Sequence, residues 1–306
     1  MTVTVAGGPT GHQRRLRRLL GRDPIGYAFI APYVLFLGGL FAYPLLVALY
    51  ISFFDYFFAA PGAHVDRPFV GLGNYTAVLG DPVFQRSILN VAEFIVINVP
   101  LTVFLSLVLA TALNAKLPFR AFFRVAYYIP YVTASVAVIG VWLWIFSGSG
   151  LLNGVLGPLA PSPSWLVNDL LAMPIIALVV TWKQLGFYVI LYLAALQNIP
   201  RELYEAAEVD GAGTVRKFRA ITVPGVRTVT TLVVILATIV GANLFTEPYL
   251  LTGGGGPSGA SMSPVLLMYQ QGIEQGHAGY AAAIGVVLAI IVMTISAINR
   301  FVLERD

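Results

Sequence analysis

The stretch PRELYEAAEVDGAGTVRKFRAITVP, Pro200 to Pro224, decides how the rest of this chain is read. It is a polar interruption that sets Arg201, Arg216, Lys217 and Arg219 beside Glu202, Glu205, Glu208 and Asp210, with long apolar runs on both sides. Pro200 suits the first helical position, where a missing N–H costs nothing, and Glu202 then falls in the electropositive first turn. Leu203, Ala206, Ala207 and Asp210 share one face through their three- and four-residue spacings. Gly211 is placed to end this helix in a left-handed conformation. Thr214 can cap a second short helix, which is expected to stop before Pro224. Helices of about three turns are marginal alone in water, so the pair needs a surface to rest on. Two readings follow: an amphipathic connector lying at the membrane interface, or a docking element in which small alanines admit close backbone approach and Glu205 faces a partner.

The flanking runs fix the class. The chain is 58% hydrophobic and 10% charged, against about 45–50% and about 25% in soluble domains. The excess sits in runs of twenty or more residues, which reads as an all-α polytopic membrane protein. Alternating segments of a β-barrel are absent from the sequence. Six transmembrane helices are expected, at about 25–54, 87–114, 123–147, 170–197, 226–251 and 279–300. Arg14, Arg15, Arg17 and Arg18 precede the first run, but that run is far longer than the core of a signal peptide, so it reads as a retained span.

Orientation follows from where the cations lie. With the N-terminus in the cytoplasm, 15 of the 18 Lys and Arg residues fall on inner segments. Arg67 and Arg86 fall outside and Lys183 within a span, so positive-inside asymmetry places both termini and the Pro200–Pro224 hairpin in the cytoplasm. The same asymmetry accounts for the net charge of +4 without invoking nucleic acid. The outer loops, Asp55–Arg86, Ser147–Asp169 and Thr252–Ala278, are rich in Gly, Pro and Ser and read as flexible connections, open to an extracytoplasmic partner. The domain reading is a tail (1–24), the first span with its outer loop (25–86), a transmembrane core (87–300) with the hairpin at 200–224, and a short tail (301–306).

Catalytic chemistry is not written in this chain. A P-loop needs lysine after a glycine-led loop, yet none of Lys116, Lys183 and Lys217 follows glycine. There is no cysteine, and His12, His64 and His277 lack ligand spacing, so no metal or thiol site is expected. No G-x-S-x-G nucleophile elbow is present. Polar residues inside the spans are more informative. Lys183 sits mid-span, where a lysine costs roughly 2.5–3.5 kcal/mol on insertion scales and so should face a cavity or a partner. Gln184 and Tyr188 share a face with each other. Asn243 and Glu247 are expected four apart on the fifth span, and Glu93 and Asn98 in the outer half of the second. These groups serve either as interhelical glue or as a polar translocation path beside the rings of Trp182, Tyr188 and Phe245. Trp142, Trp144 and Trp165 read as interfacial anchors.

The hairpin also resembles a known signature. Glu205-Ala206-Ala207, then Gly211 after three intervening residues, then Ile221, Val223 and Pro224 reproduce the cytoplasmic motif of permease subunits of bacterial ATP-binding-cassette importers, with Val223 where leucine is usual. The longer EAAEVDGAG, with Asp210 and Ala212, looks like the carbohydrate branch, as do FVGLGNY near Phe69, FFRVAYYIP near Phe122, LTGGGGP near Leu251 and GYAAA near Gly279. The segment FVGLGNYTAVLGDPVF is similar to the first-permease type. The resemblance implies a type I fold of six helices with a cytoplasmic coupling-helix hairpin. It implies docking of Glu205, Ala206, Ala207, Asp210, Gly211, Ala212, Ile221 and Pro224 on an ATPase. It further implies a second permease in a heterodimer, two ATP-binding subunits that hold ATP and Mg, and an extracytoplasmic solute-binding protein, with no cofactor on this chain. An ion-coupled transporter or channel working without an ATPase is the competing expectation.

Overall fold

The computed structural model describes residues 25–59, 62, 65–115 and 119–303. The N-terminal arginines, Lys116, His12, His64 and Arg305 lie outside these residues. The chain divides into two units, the first ending at Ile51 and the second beginning at Ser52. Among the described residues the regular structure is helical, with two isolated bridges, Phe54 to Phe69 and Phe57 to His277.

The first unit runs through α1 (Ile25–Leu37), a π-turn at Gly38–Ala42 and α2 (Tyr43–Ile51). Its apolar stretch Phe29–Ile51 is long enough to cross a membrane. The helix is apolar on all sides, and Phe29 is 81% exposed, the pattern of a rod made for lipid. The π-turn sits just before Tyr43-Pro44. A wider turn makes room for a proline ring that would otherwise strike the carbonyl four residues back.

The second unit opens with α3 (Gly73–Gly80) and α4 (Pro82–Asn114). Helix α4 begins earlier than the expected 87 because Asp81 accepts from the Val83 N–H at 2.8 Å and Pro82 occupies the first turn. It packs along α8 (Ala172–Leu196), the most buried of the spans, and against α12 (Arg227–Ala242). One core gathers Leu107, Tyr192, Val226 and Val233 near the hairpin, and another gathers Phe94, Ile176, Val180 and Leu244. A third joins Val78 to Leu266 and Ile284, packing α15 (Ala278–Leu303) against α3 and α14 (Pro264–Tyr269).

Two of the six expected spans are not straight rods. Between α5 (Arg120–Val132) and α6 (Ser135–Ile145) the chain turns by 96°. Pro130 removes a donor from the last turn of α5, and both the N–H and the hydroxyl of Thr133 close on the Ile129 carbonyl at 3.1 and 2.7 Å. Val138 and Trp142 then lead through α7 (Leu151–Leu156) to the segment before α8. The fifth run, expected to reach Leu251, stops at Ala242 and resumes in α13 (Thr246–Leu251) after Asn243–Phe245. At about 1.5 Å per residue, α12 alone spans roughly 24 Å, short of the ~30 Å hydrocarbon core. It is joined to Thr214–Gly225 at a 70° bend. Among the described residues, four helices are therefore long and apolar enough to cross a membrane, or six if each bent pair counts as one span.

The Thr252–Ala278 segment also differs from the expected flexible loop. Ser261 and Ser263 within it are fully buried. Ser263 accepts from the Leu266 N–H to cap α14 and donates to the Leu244 carbonyl. Asn90 on α4 donates to the carbonyls of Gly259 and Met262 at 2.8 and 3.0 Å. Buried polar groups paired in this way pin a loop that composition alone marks as loose.

Candidate functional site

Two places concentrate polar side chains. The first is the hairpin. Pro200 is the residue before the helix and not its first member, with α9 running Arg201–Val209. Gly211 has φ +73, so it does turn the chain in the left-handed region as expected. The Gly211 and Ala212 N–H groups close onto the carbonyls of Glu208 and Ala207 at 3.0 and 2.8 Å. Gly213, not Thr214, precedes α10 (Thr214–Lys217), and Thr214 offers no side-chain cap. The second arm does not stop before Pro224. It passes through a π-turn at Phe218–Thr222 into α11 (Val223–Gly225), the same device that precedes Pro44.

The two arms are tied to each other and to the bundle. Tyr204 and Thr222 share a hydroxyl hydrogen bond of 2.9 Å. Lys217 meets Glu208 at 2.6 Å. Tyr204, Phe218 and Ile221 pack beneath the core that contains Tyr192 and Val226. A cavity of about 540 Å³ separates this hairpin from the C-terminal end of α4, with Val108, Ala112 and Ala115 on one wall and Tyr204, Val215 and Phe218 on the other. The opposite face is open. Glu205, Ala206, Asp210, Gly211 and Pro224 are exposed, Ala207 and Ala212 are half-buried, and Val209 is 89% exposed. Ile221 therefore serves packing within the chain, whereas the glutamate, the first alanine and the glycine remain available to a partner.

The second place lies within the spans. Lys183 on α8 donates to the Ser135 hydroxyl at 2.5 Å and meets Glu247 at 3.4 Å, with the two charged side chains only 14% and 12% exposed. Ser135 is the first residue of α6 and Glu247 lies in the first turn of α13, so both follow a break in the helix. Sequence reasoning marked Lys183 and Glu247 separately and missed Ser135. The signal available was a serine five residues after Pro130, where a broken helix can restart.

The other path residues do not join this cluster. Asn243 is not on one helix with Glu247, because α12 ends at Ala242; its side chain is exposed and donates to the Ile239 carbonyl at 2.9 Å. Phe245 stacks on Tyr249 and meets Tyr269 edge-on, in the core beside α14. Gln184 accepts from the buried Tyr188 hydroxyl at 3.1 Å, on the shared face expected. Trp182 meets Trp142 edge-on at 5.3 Å, and Trp142 stacks on Phe146, so Trp142 is part of an aromatic cluster and not a free anchor. Trp165 donates to Asn153 at 2.6 Å, while Trp144 stays exposed. Asn98 donates to the Thr181 hydroxyl at 2.7 Å and bridges α4 to α8, whereas Glu93 is exposed on α4.

Comparison with known proteins adds to this geometry. Residues 98–305 match the family described as binding-protein-dependent transport system inner membrane component. The arabinooligosaccharides transport system permease protein AraP of Bacillus subtilis (strain 168) is 36% identical over 89% of this chain and 86% of its own length. The lactose transport system permease protein LacF of Rhizobium radiobacter is 32% identical over 90% of this chain and 92% of its own. In shape the chain resembles a subunit of a bacterial ABC transporter involved in the import of the acidic polysaccharide alginate, with a TM-score of 0.79, 22% identity, and coverage of 95% of this chain and 99% of that one.

Proposed function

This chain belongs to the binding-protein-dependent transport system inner membrane component family, as a multi-pass permease subunit of an ABC importer, and on that premise we propose that it moves a sugar or sugar-like solute inward, driven by ATPase subunits that grip its Arg201–Pro224 hairpin. Relatives named for arabinooligosaccharides and lactose support the solute class. A solved transporter in complex with an alginate pentasaccharide-bound periplasmic protein supports an extracytoplasmic binding protein above the bundle. The full set of partners in this reading is a second permease, two ATP-binding subunits and that binding protein. In this reading both termini and the hairpin lie in the cytoplasm, which the distribution of cations supports. Family membership leaves the ion-coupled alternative without support.

The observation that carries the docking role is the hairpin's division into two faces. One face, with Tyr204, Phe218 and Ile221, is fixed to the core under α12. The other presents Glu205, Ala206 and Gly211 outward. A push on the outer face is therefore delivered to α12 and, through the core that also holds Leu107 and Ala110, to α4. Docking shifts the bundle only where the ATPase contacts differ between nucleotide states, since equal affinity for both states moves nothing. ATP and Mg bind on the partner chains, and this chain supplies position alone.

The test is uptake by the reconstituted importer carrying Glu205→Lys or Gly211→Pro. Insertion and expression stay at the unsubstituted level, and ATP-driven uptake falls by roughly 5- to 150-fold, the usual range when a coupling contact is lost. Uptake at the unsubstituted rate in either variant defeats the docking role.

A further inference from the structure

We propose that the contact of Lys183 with Glu247 and Ser135 is a latch that holds both helix breaks against α8 and must open in each transport cycle. This rests on the importer reading above. Three observations converge on it. The unbroken α8 is the most buried span, and Lys183 lies near its middle, roughly 16–20 Å from either end at about 1.5 Å per residue. Its ammonium touches the first residue of α6, after the 96° turn, and the first turn of α13, after the interruption at Asn243–Phe245. Helices α6 and α13 also pack against each other.

The two breaks are where this fold bends most easily. At 133–134 and 243–245 the helical run is interrupted: Thr133 and Asn243 still close on the carbonyls of Ile129 and Ile239 at 3.1 Å each, but a new helix starts after each, so rotation there is cheap compared with bending the continuous α8. A cation beside the N-terminus of α6 meets the positive end of that helix, which is unfavourable unless an anion answers it. Glu247 is that anion. No other acidic side chain contacts Lys183 among the described residues. Ser135 also gives Lys183 a neutral partner, so the ammonium keeps a hydrogen bond when Glu247 moves away. The arrangement is that of a two-position contact: closed with Glu247 engaged, open with Lys183 held by Ser135 and by water or solute hydroxyls.

The experiment uses the complete importer in lipid and reads ATP hydrolysis without the binding protein. Glu247→Gln and Lys183→Met each raise this basal rate roughly fivefold or more, the low end of usual coupling between sites. The double variant does no more than either single one, and the exchange Lys183→Glu with Glu247→Lys returns the rate toward the unsubstituted value. Because the chain has no cysteine, Ser135→Cys with Glu247→Cys gives a clean crosslink. That crosslink forms in the resting complex, suppresses hydrolysis, and is lost several-fold when nucleotide is trapped on the ATPases. Unchanged basal hydrolysis in the single variants overturns the latch, as does crosslinking equal in both nucleotide states. So does an effect confined to the KM for solute, which would make the pair a solute contact and leave the importer reading standing. Absence of ATP-dependent transport in the unsubstituted complex would instead defeat that reading itself.

Discussion

Two ion pairs in this chain share their chemistry and differ in setting. Lys217 and Glu208 sit 2.6 Å apart on the hairpin, with side chains 20% and 63% exposed. Lys183 and Glu247 are 3.4 Å apart among the spans, 14% and 12% exposed. The shorter contact is the less consequential. Water and salt screen the hairpin pair, and long side chains lose entropy in holding it. Within the bundle the alternative to pairing is a charge without solvation, so even a longer contact dictates where three helices meet. Distance ranks these pairs wrongly; environment ranks them correctly.

The strongest way to break that comparison is to remove one partner inside the bundle. Lys183→Ala leaves the Glu247 carboxylate unanswered and is expected to cost about 3–5 kcal/mol, measured as unfolding of the lipid-reconstituted chain. A loss below 1 kcal/mol would show that water reaches this site freely. A packing control comes next. A Cβ at Gly186 would lie 2.1 Å from the Tyr127 carbonyl oxygen, where α5 crosses α8, so Gly186→Ala should cost about 1–3 kcal/mol. Parity with the unsubstituted protein would mean that α5 is free to move away. Neutral polar glue should be weaker than the buried charge: Asn98→Ala, which removes the bond to Thr181, is expected to cost about 0.6 kcal/mol. At the bottom of the scale, Glu208→Ala should change stability by no more than about 0.5 kcal/mol, and less at high salt. A larger loss there would place the hairpin pair in a drier setting than its exposure indicates.

The hairpin was the most legible part of the site. Gly211 turns left-handed where the sequence placed it, because only glycine takes that conformation without steric cost. Its second arm was misread at Pro224, since a π-turn absorbs the proline that ordinarily ends a helix. The same local economy misled the reading of the fifth run. The apolar run from Val226 to Leu251 is interrupted by Asn243 and by Thr246-Glu247-Pro248, and the helix breaks at Asn243–Phe245. Pro248 cannot donate to the Leu244 carbonyl, which accepts from Ser263, while the Leu244 side chain enters the core with Phe94 and Ile176. Burial partners of that kind lie far along the chain and leave no mark on a hydropathy window.

By itself the sequence determined the solvent this protein lives in, the uneven placement of its cations and the left-handed turn at Gly211, because apolar runs, charge placement and glycine conformations are properties of short segments. Only the tertiary structure decided that two spans are broken, that Lys183 answers Glu247 from 64 residues away, and that Ser135 belongs with them. Those facts depend on which segments meet across the bundle, and a lone lysine in an apolar run announces that it needs a partner without saying which one.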